Sequence, residues 1–121
     1  MKILLIEDDD FFREFYALKL KEKGVEVDVA EDGEEGLKKA DENKPDIILL
    51  DLIMPKKDGF EVLQALSSQN LIPEIPVLVF STLGQDEDIK KAIELGARDC
   101  INKSYFDFEK LFSKILEITN I

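Results

Sequence analysis

Four short segments of this chain, three of them apolar runs, each lead into a residue that can do chemistry. Ile3-Leu4-Leu5-Ile6 leads into Glu7-Asp8-Asp9-Asp10, and Ile47-Ile48-Leu49-Leu50 into Asp51. Val77-Leu78-Val79-Phe80 leads into Ser81-Thr82, and Arg98–Asn102 into Lys103. If these segments are parallel strands, all four groups share one edge of the sheet. That edge then holds several carboxylates, a hydroxyl and an ammonium.

Two carboxylates about 4 Å apart repel by roughly 4 kcal/mol at an effective dielectric near 20. A cluster of Glu7, Asp8 and Asp51 therefore calls for a cation. Oxygen-only ligands favour a hard divalent ion, and few protein ligands with several waters suit Mg²⁺. With Lys103, such an ion can neutralise phosphoryl oxygens. Ser81 can donate to a third, and a carboxylate can be the nucleophile. Asp51 is the best candidate, because it stands centrally and alone at its strand end. The same residues also have plainer roles. Acids at a strand-to-helix junction serve as N-caps and favour the helix dipole, which is the expected role of Asp9 and Asp10. A serine after a strand is often a loop residue, and a lysine there a solvated charge.

The elements that must position these groups alternate in type. Ile3–Ile6, Val25–Ala30, Asp46–Leu50, Pro76–Phe80 and Arg98–Asn102 read as strands. Three are near-continuous apolar runs, as parallel strands covered on both faces require. Val25-Glu26-Val27-Asp28-Val29 alternates with period two and suits an edge. Phe11–Lys23, Glu34–Asn43, Phe60–Ser68, Asp86–Leu95 and Phe108–Ile118 have helical period. In the first of these, Phe11, Phe12, Phe15, Tyr16, Leu18 and Leu20 form a broad apolar stripe. Gly24 and Gly96 read as helix stops, and Asp107 as an N-cap. Five βα units predict an α/β fold with a parallel sheet and helices on both faces. Ligands of such sheets sit beyond the carboxyl ends of the strands.

At 121 residues the length suits one domain. Acids outnumber bases by 27 to 16, giving net −11, so binding to nucleic acid or an anionic membrane is electrostatically unfavourable. One cysteine makes no internal disulfide, and the absence of histidine removes histidine-based triads and most zinc sites. No apolar run approaches the roughly 20 residues of a spanning helix, nor does the amino end have a signal-peptide pattern. The expected location is the cytoplasm. An FMN-binding protein of this topology would need a glycine- and hydroxyl-rich loop where Glu7-Asp8-Asp9-Asp10 stands. A haloacid-dehalogenase-type phosphatase would need a second Asp where Ile53 stands.

Taken in order and spacing, these residues resemble the receiver domain of two-component response regulators. The resemblance covers the whole chain, residues 1–121, as one receiver domain. It rests on Lys2–Asp8, on Asp46–Pro55 with Asp58-Gly59, on Pro76–Ser81, and on Gly96-Ala97 leading to Lys103. It implies a flavodoxin-like, doubly wound fold with strand order 2-1-3-4-5. It implies that Asp51 accepts a phosphoryl group from a sensor histidine kinase or phosphotransfer protein. Asp8 would ligate Mg²⁺ directly, Glu7 largely through water, and the Ile53 carbonyl would be a further ligand. Lys103 would pair with Asp51 and then with the phosphoryl group, which Ser81 would move to meet. The switching face would be helix four, strand five and helix five, roughly Asp86–Ile118, read by a downstream protein target. A free-standing phosphorelay switch without an output domain is the expectation; the alternative is a degenerate receiver serving as a constitutive interaction module.

Two features depart from the family pattern. Lys103-Ser104-Tyr105 stands where Lys-Pro, with a cis bond, is usual. A non-proline cis bond costs about 3–4 kcal/mol, so either a trans, rebuilt loop or a strained cis bond is expected. Cys100 replaces the usual Tyr or Phe of the switch, and reads as a small packing residue. Ile53 and Leu83 occupy the two positions that tune phosphoryl lifetime, and neither can orient a water by hydrogen bonding. Exposed aromatics such as Tyr105 and Phe106 would be partner contacts, with core packing the other role open to Phe106.

Overall fold

The computed structural model describes residues 1–82, 85–104 and 107–120. The strands are β1 (Lys2–Ile6), β2 (Glu26–Ala30), β3 (Ile47–Leu50), β4 (Val77–Ser81) and β5 (Asp99–Asn102). The helices are α1 (Asp10–Glu22), α2 (Gly33–Asn43), α3 (Gly59–Ser68), α4 (Asp86–Glu94) and α5 (Phe108–Thr119). Elements and type follow the sequence pattern, with boundaries displaced by a residue. All pairings are parallel and the order is β2-β1-β3-β4-β5, as expected. The period-two segment is indeed an edge strand.

Strand alternation divides the core into two layers. Leu4, Ile6, Ile48, Leu50, Val77 and Val79 point to one face, where they meet Leu37, Leu63, Leu66 and Ala92 from α2, α3 and α4. Ile3, Leu5, Ile47, Leu49, Leu78 and Phe80 point to the other, against Tyr16 and Leu20 of α1 and Leu111 and Ile115 of α5. With right-handed crossovers, a chain that steps from β1 to β2 and then back to β3 must place α1 opposite α2. The reversal at β1 and β3 opens the crevice above their carboxyl ends.

The first helix differs from its sequence reading. Phe11, Phe15 and Leu18 are 71%, 39% and 59% exposed, while Arg13, Tyr16, Ala17 and Leu20 are buried. At about 100° per residue, positions 11, 15 and 18 fall within roughly 60° of one another, opposite the arc of 16, 17 and 20. Six apolar side chains are more than one sheet face can cover. Among the described residues, no helix is long and apolar enough to cross a membrane.

Candidate functional site

Three of the groups at the sheet edge are each set by a ladder bond one residue past a strand, and Ser81 is the last residue of β4. The Glu7 amide donates to the Ala30 carbonyl at 3.0 Å, the Asp51 amide to Ile6 at 3.1 Å, and the Lys103 amide to Ser81 at 3.1 Å. Glu7, Asp51 and Ser81 are buried in consequence. Asp8 is exposed, and one oxygen from each of Glu7, Asp8 and Asp51 lies within 4.8 Å of the others. Asp9 caps α1 by accepting from the Phe12 amide at 3.0 Å, and Asp10 opens its first turn, so both take their plainer roles.

The Ser81 hydroxyl donates to Asp51 Oδ1 at 2.7 Å, and the Ile53 amide reaches the same oxygen at 3.3 Å. Lys103 Nζ lies 3.6 Å from Asp51 Oδ2 and in closer contact with Glu7 Oε1. The nearer partner of the ammonium is thus Glu7. Burial first, and the Asp51 charge after it, raise the Glu7 carboxyl to about 7 against the pull of Lys103. Three crowded carboxylates face one ammonium. The all-oxygen donor set, with Asp8 open to water, fits a hard divalent cation.

The loop after Asp51 is held from α3. Asp58 and Glu61 form a reciprocal capping box, and the Gly59 amide donates to the Leu52 carbonyl at 3.0 Å. A Cβ at Gly59 would lie 2.6 Å from the Asp51 carbonyl oxygen and from Leu52 Cα. Only glycine allows that approach, which accounts for Asp58-Gly59 beside the nucleophile candidate.

This geometry has close relatives. A family model described as the response regulator receiver domain matches residues 3–116. The chain belongs to that family. This receiver is 37% identical over 114 residues to the DNA-binding dual master transcriptional regulator RpaA of Synechocystis, covering 94% of its own length and 47% of that protein's. It thus spans under half the length of that relative. The receiver domain of the Francisella response regulator 1452 superposes with a TM-score of 0.90 at 30% identity, covering 98% and 96% of the two chains. Vibrio cholerae chemotaxis protein CheY4 gives 0.89 at 30%, covering 97% of each.

The structure answers both departures. Among the described residues, the cis peptide bond is Ile72–Pro73; Lys103–Ser104 is trans. The Asn102 Oδ1 accepts from the Ser104 amide at 2.7 Å. Cys100 packs half-buried against the α2–α4 layer, with its thiol pushed up to about 11 by burial and then by Asp99. It is a protonated packing residue, as read. Ile53 is 54% exposed beside Asp51. Leu83, Tyr105 and Phe106 lie outside the described residues.

Arg13 is the site residue that sequence reasoning missed. Buried in α1, it donates through Nη1 to the carbonyls of Glu7 at 3.0 Å and Asp8 at 3.3 Å, and pairs through Nη2 with Asp10. It thereby fixes the backbone of the acidic loop. The available signal was an arginine in line with the buried arc of an amphipathic helix.

Proposed function

We propose that this receiver is a phosphoacceptor switch in a two-component phosphorelay, acting in the cytoplasm. The observation that carries the reading is convergence: Ser81 and Lys103 both face the Asp51 carboxylate, and Glu7 and Asp8 stand beside it. A phosphohistidine on a sensor kinase or phosphotransfer protein is the donor. One Asp51 oxygen forms a bond to phosphorus as the nitrogen–phosphorus bond breaks, and the imidazole leaves with the electron pair and takes up a proton. Glu7, Asp8, Asp51 and the Ile53 carbonyl would hold Mg²⁺, which when bound supplies neutralising charge for the phosphoryl oxygens. Lys103 and Ser81 pair with the remaining oxygens as charge arrives.

The new charge draws Ser81 and, through β4, biases the surface of α4, β5 and α5 that a downstream protein reads. Ala92 alone of α4 is buried, so this helix is lightly anchored. The trans loop at Ser104 and Cys100 in the aromatic position are what favour the alternative, a constitutive interaction module. Label from a small phosphodonor separates the two. Uptake that requires Mg²⁺ and is released by hydroxylamine, as an acyl phosphate must be, supports the switch. A protein that binds Mg²⁺ and takes up no label is the interaction module.

The phosphoryl group, once formed, is expected to last. Exposed Ile53 offers no hydrogen bond to an attacking water, and Leu83 is equally apolar. The expected half-life, followed by loss of label after donor removal, is minutes to hours. A half-life of a few seconds would contradict this assignment.

A further inference from the structure

Lys103 has neighbours that are not carboxylates. Its Nζ lies 4.8 Å from the centroid of the Phe12 ring and 5.8 Å from that of Phe80. Both fall within the roughly 6 Å over which a ring face attracts a cation. The rings are themselves fixed. Phe80 is buried in β4, Tyr16 stands edge-on to it at 5.1 Å, and Phe12 stacks on Tyr16 at 6.0 Å. Phe12 and Tyr16 are one helical turn apart, so α1 presents both to the sheet. The lysine side chain is only 6% exposed, so water screens the contact little.

We propose that Phe12 is a positioning residue for Lys103, its ring face keeping the ammonium at Asp51 when Glu7 releases it. This rests on the phosphoacceptor reading. Glu7 is the ammonium's nearer partner, yet Glu7 also belongs to the carboxylate cluster that fits the cation. A carboxylate committed to a divalent ion is a weaker partner for lysine. A ring face has no lone pair to give a metal and imposes no single direction on the ammonium. It therefore keeps Lys103 close while the head group turns from Glu7 to the phosphoryl oxygen.

Two measurements test this with Phe12→Leu, Phe12→Met and the conservative Phe12→Tyr. The first is initial phosphoryl uptake from acetyl phosphate across a Mg²⁺ titration. Leu and Met lower the maximal rate by about threefold to thirtyfold, the range of a desolvated cation–ring contact. Tyr restores it, and the Mg²⁺ concentration at half-maximal rate does not move. The second is a double-mutant cycle on metal-free unfolding, with Phe12→Leu and Lys103→Met. The two couple by a similar factor in the unfolding equilibrium constant. A rate unchanged in both Leu and Met variants, a Tyr variant as slow as Leu, a parallel shift of the Mg²⁺ midpoint, or an additive cycle would each overturn the proposal. A parent that takes up no phosphoryl group while its cycle still couples fails the phosphoacceptor reading instead, and with it any role for Phe12 in transfer.

Discussion

Lys103→Met lowers the stability of the metal-free protein by about 3–5 kcal/mol at alkaline pH, the usual cost of removing one member of a buried ion pair. Lys103 is the ammonium that faces both Glu7 and Asp51. Without it the two buried carboxylates meet no opposite charge. The loss shrinks as pH falls, because Glu7 neutralises itself by binding a proton, the more readily once the Lys103 that lowers its pKa is gone. Adding Glu7→Gln recovers most of the loss at alkaline pH. Chemical denaturation of the two single variants and the double variant checks this. A fully stable Lys103→Met at alkaline pH would mean that the pair is solvated rather than buried.

Metal and pH act on the same cluster with opposite sign. Burial raises the Glu7 pKa from 4.5 to about 7, so between those values the folded protein holds a proton that the unfolded chain has released. That contribution is complete below about pH 4.5 and is lost as pH rises through about 7. Asp32 has the reverse sign: the Glu35 amide, chiefly, and Lys56 lower its pKa from 3.8. Its stabilisation is lost as pH falls, in a separate and more acid window. Melting of the metal-free protein is therefore expected to decline from about pH 5 to about pH 8. Millimolar Mg²⁺ reverses the decline, because a carboxylate ligand must be ionised and a ligand of the native state stabilises it by about 2.7 kcal/mol at one hundred times Kd. Asp51→Asn removes one charge while keeping an acceptor for Ser81, and raises metal-free melting. Melting curves indifferent to Mg²⁺ at every pH would mean that the metal site is misassigned.

What the sequence made legible, and what it did not, divides along physical lines. Ile47–Leu50 is apolar without interruption because β3 is covered on both faces, and Asp51 stands out against it for that reason. Strand alternation likewise exposes the edge strand. The α1 stripe misled because composition counts apolar residues without showing that Phe11, Phe15 and Leu18 turn away from the sheet. Lys103 and Asp51 were legible as partners in the resemblance, yet the closer contact with Glu7 depends on side-chain reach across β1, β3 and β4. The helical period places Arg13 on the buried arc of α1 and Phe12 in its apolar stripe, but their partners, the Glu7 and Asp8 carbonyls and Lys103, are brought near by the fold and not by spacing in the chain. Gly59 was legible only as part of a motif, and the steric reason appears once Asp51 and Leu52 are placed.

The central claim is that Asp51 accepts a phosphoryl group. Intact mass after incubation with acetyl phosphate and Mg²⁺, for the parent and for Asp51→Asn, tests it most directly. The expected result is a gain of one phosphoryl group, about 80 Da, in the parent and none in the variant. No gain in a parent shown to bind Mg²⁺, or an equal gain in Asp51→Asn, would contradict it.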